Sequence, residues 1–146
     1  MDQSIQDFVN GKRVAVVGVS RSGKKFGNMI CTELRERGYQ VSIVHPEAKE
    51  IDGQACQPNL AALQGQVDGV VICVPARQAG QVMREAVQAG ISKIWIQQGA
   101  QSSETDTLAR ELGVTPVSGK CILMYATPVR SFHGWHRAFA RIFGQL

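Results

Sequence analysis

Two short apolar runs constrain the fold of this chain more than any other feature of its sequence. Residues 13–19 read RVAVVGV, and residues 68–74 read DGVVICV. Both runs are rich in β-branched residues and are shorter than a typical helix. A continuous apolar run of this length is typical of a central strand that is buried on both faces. Strands of this kind predict a sheet that is covered by helices on both sides.

Strand and helix patterns alternate along the rest of the chain. Further strands are predicted at residues 40–44, 54–56, 93–96 and 114–117, and helices at residues 24–37, 76–89 and 102–112, with a short helix after Asn59. Strands that are separated by such helices form right-handed βαβ units and a parallel sheet. We therefore predict an α/β fold with one doubly wound, Rossmann-like sheet. A length of 146 residues fits a single domain, residues 1–146.

The C-terminal residues, at about 129–143, predict an amphipathic helix. Its apolar face carries the aromatic residues Phe132, Trp135, Phe139 and Phe143. Such a face either closes the core of the domain or, with arginines at its rim, forms a surface for a homodimer or a partner subunit. The sequence leaves both interpretations open.

Charge and cysteine content argue against several classes of protein. The net charge is +4, from 16 basic and 12 acidic residues, which is too mild to indicate a nucleic-acid partner. The four cysteines are widely spaced and lack the spacing of a zinc site, which fits a cytoplasmic protein with reduced thiols. No apolar run approaches the roughly 18 residues that indicate a membrane span, and the N-terminus does not resemble a secretory signal.

The segment that follows the first predicted strand has the character of a phosphate-binding loop. Residues 18–28 read GVSRSGKKFGN and open the first predicted helix. Glycines let the backbone approach a phosphate, and the free N–H groups of a helix N-terminus bind anions. Arg21, Lys24 and Lys25 add three cations, and Ser20 and Ser22 add hydroxyl groups, with no acid nearby in the sequence. The alternative is a solvated turn whose glycines serve packing alone.

Two common nucleotide-binding motifs fail in this loop. Gly18, Gly23 and Lys24 match the spacing of a P-loop, but Lys25 stands where a serine or threonine would hold magnesium. The dinucleotide fingerprint fails because its second glycine is replaced by Ser20. The acid that holds a ribose hydroxyl in that fold is replaced by a His-Pro pair, residues 45–46. The sequence therefore argues against an NTPase and against ordinary NAD binding.

Five segments at the ends of predicted strands together resemble a known family. They are residues 18–28 (GVSRSGKKFGN), His45-Pro46, residues 74–77 (VPAR), residues 94–99 (IWIQQG) and residues 119–121 (GKC). In this order they resemble the small, stand-alone CoA-binding domain proteins, which are similar to the CoA-binding domain of the succinyl-CoA synthetase α subunit. The resemblance covers about residues 8–128.

This resemblance implies a Rossmann-like domain that binds coenzyme A or an acyl-CoA. It implies phosphate contacts from the first loop, an adenosine site at the second and third segments, and a pantetheine site at the last two. The implied contact residues are Gly18, Val19, Ser20, Lys24 and Asn28 in the first loop, His45, Pro46, Val74, Pro75 and Arg77 in the middle segments, and Gln98, Gly99 and Cys121 in the last two. The 3′-phosphate of CoA explains why no acid stands where NAD-binding proteins place one.

No acid–base pair or activated nucleophile stands out in the sequence, which favours a binding module over an enzyme. Such a module is a carrier, a sensor or the nucleotide-binding subunit of a larger assembly. The alternative is a small NAD(P)- or CoA-dependent enzyme or a redox sensor. Cys121 has two interpretations as well, a thiol that reacts beside the CoA thiol or a small buried apolar residue. Cys31 and Cys73 are expected in the core.

Overall fold

A computed structural model describes residues 3–23 and 25–126, and in it seven strands form one sheet. The strands are β1 (Arg13–Val17), β2 (Gln40–Val44), β3 (Glu50–Ile51), β4 (Gln54–Gln57), β5 (Gly69–Ile72), β6 (Ile94–Gln97) and β7 (Val117–Lys120). Their order across the sheet is β3-β4-β2-β1-β5-β6-β7. Every neighbouring pair is parallel except β3 and β4, which form an antiparallel hairpin.

Four helices and two short 3₁₀ turns connect these strands in the described residues. The helices are α1 (Gln3–Asn10), α2 (Phe26–Glu36), α3 (Ala76–Gln88) and α4 (Ser103–Leu112), and the turns are Leu60–Leu63 and Ile122–Met124. Together with the sheet they confirm the predicted α/β, Rossmann-like fold. Lys24 and the C-terminal helix predicted at 129–143 lie outside the described residues.

Two apolar cores lie on opposite faces of the sheet. Val14 and Val16 of β1 belong to the core beneath α1 and α2, whereas Ala15 belongs to the core beneath α3 and α4. All three residues are fully buried. Successive side chains of a strand point to opposite faces, so a strand with a core on each side is apolar at every position. This explains the continuous apolar run in the sequence.

The last strand lies further along the chain than predicted. The sequence favours residues 114–117, but β7 spans Val117–Lys120. Gly113 ends α4 in the left-handed conformation, and the N–H of Val114 donates to the Ala109 carbonyl. Val114 then packs on the core beneath α3 and α4. The valine belongs to the end of the helix, where an apolar residue commonly follows the glycine.

Other differences are smaller. Helix α1 and strand β3 were not predicted, and the remaining boundaries agree with the predicted ones within two residues. Helix α1 buries Ile5, Phe8 and Val9, whose spacing of three and four residues is the helical signal in the sequence. Strand β3 has only two residues, Glu50 and Ile51, which are too few to show the alternation of apolar and polar residues that identifies a strand.

We predict that Ser102 stabilises α4 and that its neighbour Ser103 does not. The Ser102 hydroxyl accepts a hydrogen bond from the Thr105 N–H at 3.2 Å, and the Thr105 hydroxyl accepts one from the Ser102 N–H. Ser102→Ala should lower the free energy of unfolding by about 1 kcal/mol, because it removes this cap. Ser103→Ala should change it by less than about 0.5 kcal/mol. Urea denaturation followed by circular dichroism compares the two variants, and equal effects would contradict the prediction.

Candidate functional site

The change of winding direction in the sheet places a crevice beside β1. The chain passes from β1 to β2 on one side and later returns to β5 on the other side. The segments that follow β1 and β5 therefore diverge at the carboxyl edge of the sheet. Ligands of doubly wound folds bind at such a switch point.

The segments after β1 and β5 are in close backbone contact at Gly18. Gly18 has φ +112°, and a Cβ atom on it would lie 2.6 Å from the carbonyl carbon of Cys73 and 2.9 Å from the nitrogen of Val74. A Cβ atom on Gly27, in the first turn of α2, would collide with the Gly18 carbonyl oxygen. Both positions need glycine, because any side chain there would push the loop, β5 and α2 apart.

The loop between β1 and α2 is held in shape by Asn28. Its side-chain oxygen accepts hydrogen bonds from the N–H groups of Ser20 (2.9 Å) and Lys25 (3.3 Å), and its side-chain nitrogen donates to the Ser20 carbonyl (3.0 Å). Asn28 is only 5% exposed. The structure therefore shows that the Asn28 side chain holds the loop in shape. Its amide oxygen already accepts hydrogen bonds from two N–H groups of the loop.

The crevice has a volume of about 370 Å³ and brings together five of the predicted site residues. These are Gly18, Val74, Pro75, Gln98 and Gly99. Six further residues line it, and the sequence did not assign them to the contact set: Lys25, Phe26, Gly27, Cys73, Gln97 and Ala100. Each directly adjoins a predicted residue or lies in the same loop, so extending each segment along its strand or loop would have found them.

Several hydrogen-bond donors and one cation border the crevice. Phe26 and Gly27 form the first turn of α2, where N–H groups lack intrahelical partners and the helix dipole favours anions. Lys25 is exposed beside them. On the opposite wall, Gln97 is 1% exposed and accepts a hydrogen bond from the Ile122 N–H through its side-chain oxygen. Its side-chain nitrogen has no hydrogen-bond partner in the described residues.

Two acids lie beside the loop in the fold, although no acid is near it in the sequence. Arg21 forms a 3.1 Å salt bridge with Glu47, from the turn after β2. Asp52, at the tip of the β3–β4 hairpin, lies with one carboxylate oxygen 3.1 Å from the position that a Cβ atom on Gly23 would occupy. The tertiary fold brings these acids to the loop from 26 and 29 residues further along the chain.

The other predicted residues in the described part of the chain lie outside the crevice lining. Val19 borders a separate pocket of about 260 Å³, together with Asn28 and Asp52. The His45 ring nitrogen Nδ1 accepts hydrogen bonds from the N–H groups of Glu47 and Ala48, so this histidine stabilises its own turn. The surroundings of three further residues show where they lie. Ser20 pairs with the Ser22 hydroxyl, Pro46 is exposed in the turn of His45, and Arg77 borders a groove between α3 and α4.

The cysteines near the site are free thiols, and two of them have a pKa that burial raises. Cys73 was expected in the core, and its half-buried side chain both packs on that core and lines the crevice. Burial raises the pKa of Cys73 to about 12 and that of Cys31 to about 11. Cys121 follows β7 and packs half-buried on the core beneath α1 and α2.

Residues 3–23 and 25–126 contain neither a metal site nor a membrane-spanning helix. No group of three or more His, Cys, Asp or Glu side chains there could hold a metal ion. None of the helices in this part of the chain has both the length and the apolar character needed to cross a membrane.

The family model that describes the CoA-binding domain matches residues 12–127. This match includes every strand and the whole lining of the crevice. The chain belongs to the CoA-binding domain family. The resemblance drawn from the five sequence segments is confirmed.

Relatives of this CoA-binding domain include both small proteins and parts of large enzymes. The protein YneT of Bacillus subtilis, whose function is uncharacterised, is 28% identical over 111 residues, which are 76% of this chain and 82% of YneT. The ADP-forming acetate–CoA ligase I of Archaeoglobus fulgidus is 30% identical over 128 residues, which are 81% of this chain and 19% of the ligase. The CoA-binding domain thus spans about a fifth of that ligase.

Similar solved structures also include both a small protein and a larger enzyme. A conserved hypothetical protein from Pyrococcus furiosus has a TM-score of 0.72 and 38% identity, and the match covers 76% of this chain and 96% of that one. A dinucleotide-forming acetyl-coenzyme A synthetase from Ca. Korarchaeum cryptofilum, in complex with phosphate and ADP, has a TM-score of 0.62 and 26% identity. That match covers 72% of this chain and 25% of the synthetase.

We predict that Gly18→Ala damages the fold far more than Gly65→Ala. Both glycines have positive φ, but a Cβ atom on Gly65 meets nothing within 4 Å, whereas one on Gly18 meets the Cys73–Val74 backbone. Gly65→Ala should cost about 1 kcal/mol of unfolding free energy, and Gly18→Ala about 2 kcal/mol more. Chemical denaturation measures both. A Gly18→Ala variant as stable as Gly65→Ala would show that this backbone contact is not required.

Proposed function

We propose that this CoA-binding domain binds coenzyme A or an acyl-CoA without catalysing a reaction, as a carrier, a sensor or the nucleotide-binding subunit of a larger assembly. The observation that carries the proposal is the position of the crevice. It opens at the switch point of the sheet, with the N-terminus of α2 and Lys25 on one wall and amide groups on the other. The family match supports the ligand class, and the shape and lining of the crevice support this location for it.

The phosphate groups of the ligand are assigned to the wall formed by the loop and α2. Phe26 and Gly27 of the first helical turn, whose N–H groups lack intrahelical partners, line this wall, and the exposed Lys25 adds a positive charge. Such N–H groups and the helix dipole together stabilise a bound phosphate. Lys24 and Ser20 of the same loop belong to this proposed phosphate site, and Arg21 can join it by leaving its exposed partner Glu47.

The pantetheine arm is assigned to the part of the crevice lined by the segments after β5 and β6. Val74 and Pro75, which the resemblance assigns to the adenosine end, line the same crevice as Gln98, so we assign them with Ala100 to apolar contacts with the arm. Gln97 and Gln98 supply amide groups that suit the two amides of pantetheine. A volume of about 370 Å³ is at the lower end of the range for ligand pockets, so this crevice holds one part of the ligand. The adenosine end is assigned to the adjoining turn at His45 and Pro46.

The groups that line the crevice support binding rather than catalysis. Its ionisable side chains in the described residues are Lys25 and Cys73. Because burial raises the pKa of Cys73 to about 12, its thiol carries a proton at neutral pH and is a poor nucleophile. No histidine or carboxylate in the described residues borders the crevice to act as a general base.

A nicotinamide dinucleotide is the second candidate ligand. Asp52 and Glu47 lie beside the loop, and an acid near this position holds the ribose hydroxyls of NAD in related folds. NAD carries no phosphate on that ribose, whereas coenzyme A carries one at its 3′ position. The two candidates therefore differ in their response to the 3′-phosphate.

We place the module in the cytoplasm. All four cysteines, Cys31, Cys56, Cys73 and Cys121, are free thiols in the structure, and free thiols persist in reducing compartments.

Titration of the purified, reduced protein with CoA, dephospho-CoA and NADH by calorimetry tests the proposal. We expect CoA to bind with a micromolar dissociation constant and dephospho-CoA to bind more weakly, because the 3′-phosphate adds charge-assisted contacts. Tight binding of NADH alone would support the second candidate. The absence of binding for all three ligands would contradict both.

A pair of lysine variants tests the location of the site. Lys25 borders the crevice, whereas Lys93 precedes β6 at the opposite edge of the sheet. Both side chains are exposed, and each substitution to alanine removes one positive charge. Lys25→Ala should weaken CoA binding about tenfold, which corresponds to about 1.4 kcal/mol, and Lys93→Ala should leave it unchanged. Equal affinities for CoA in the two variants would show that the phosphates bind at another place.

A further inference from the structure

A groove of about 500 Å³ runs between α3 and α4 on the outer surface of the domain. The two helices approach closely at Gly80, where a Cβ atom would lie 3.3 Å from a methyl carbon of Leu108. Both helices connect strands of the same parallel sheet, so they run in the same direction. The groove walls are therefore two parallel helices that begin at the same edge of the sheet.

The two walls carry opposite charges at matching positions. Arg77 and Arg84 are the second and ninth residues of α3, and Glu104 and Glu111 are the second and ninth residues of α4. All four are exposed and line the groove. Seven residues span about 10 Å of helix, so each wall carries two like charges about two turns apart.

These four charges have no partner in the described part of the chain. Neither a salt bridge nor a side-chain hydrogen bond there involves any of them. Each helix also carries one residue of the opposite sign, Glu85 on α3 and Arg110 on α4, but neither of these two residues lines the groove. The groove thus presents a positive row beside a negative row.

A surface with this pattern is complementary to itself under one kind of two-fold rotation. An axis parallel to the groove places α3 of one copy against α4 of the other and keeps the helix directions aligned. Arg77 then faces Glu104 of the second copy, and Arg84 faces its Glu111, with the same two pairs formed in reverse. An axis across the groove would place like charges together.

We propose that this chain forms a two-fold symmetric dimer through the α3–α4 groove, held by these four intermolecular ion pairs. We expect the groove to bind a second copy of this chain, because the charged rows of two copies match in sign, spacing and register under this rotation. Gln81 and Thr107, which lie between the charged positions, bring polar groups to the centre of the interface. The proposal does not rest on coenzyme A binding, since the dimer is tested without ligand.

Charge reversal and sedimentation velocity test the dimer. At low ionic strength we expect the wild-type chain to sediment as a dimer that dissociates as sodium chloride is added, because salt screens exposed pairs. Arg77→Glu/Arg84→Glu and Glu104→Lys/Glu111→Lys should each weaken dimerisation at least about tenfold, because every facing pair becomes repulsive. An equimolar mixture of the two double variants should form a heterodimer, since all four pairs are then restored.

The matched control is Lys49→Glu/Lys93→Glu, which changes the net charge by the same amount as Arg77→Glu/Arg84→Glu at two exposed lysines that do not line the groove, and which should dimerise as the wild type does. Recovery of the heterodimer excludes misfolding as the cause of dissociation in the separate variants. A wild-type chain that stays monomeric at low ionic strength would overturn the proposal. So would charge-reversed variants that dimerise normally, or a mixture that remains monomeric.

Discussion

The contact between Gly18 and the Cys73–Val74 peptide is the constraint on which the rest of the site depends. It joins the two segments that leave the sheet in different directions, and Gly27 adds the first turn of α2 to the same contact. Because three backbone segments meet without side chains between them, helix N–H groups reach the crevice directly. A β-carbon at Gly18 would separate these segments and move the N-terminus of α2 away from any ligand.

The electrostatics of the loop are more balanced than its sequence suggests. Three cations in five residues look like a strongly positive surface, but the fold adds Glu47 and Asp52 beside them. An exposed pair such as Arg21–Glu47 contributes only about 0–1 kcal/mol, so a phosphate can replace the carboxylate as the partner of Arg21 at small cost. The acids therefore lower the positive potential of the loop, and a phosphate that pairs with Arg21 has to replace Glu47.

The sequence was most informative where a signal is local. The runs at 13–19 and 68–74 show burial on both faces in their composition, and each loop at the carboxyl edge follows directly from its strand. Other features depend on contacts between distant segments. Asp52 reaches Gly23 only because the β3–β4 hairpin folds back over the loop, and β7 is short, polar and bulged beside β6. Local sequence patterns do not show such contacts, so the approach of Asp52 to the loop and the position of β7 were not predicted.

Both helices of the charged groove begin at segments that line the crevice. Pro75 lines the crevice and directly precedes α3, and Ala100 lies three residues before α4. Arg77 and Glu104, one at the start of each row, are therefore close in sequence to residues assigned to the ligand. A ligand that shifted either segment would also shift the spacing between the two rows. Ligand binding and dimerisation as proposed involve the same backbone segments. Any effect of the ligand on the affinity of the dimer must therefore be matched by an equal effect of dimerisation on the affinity for the ligand.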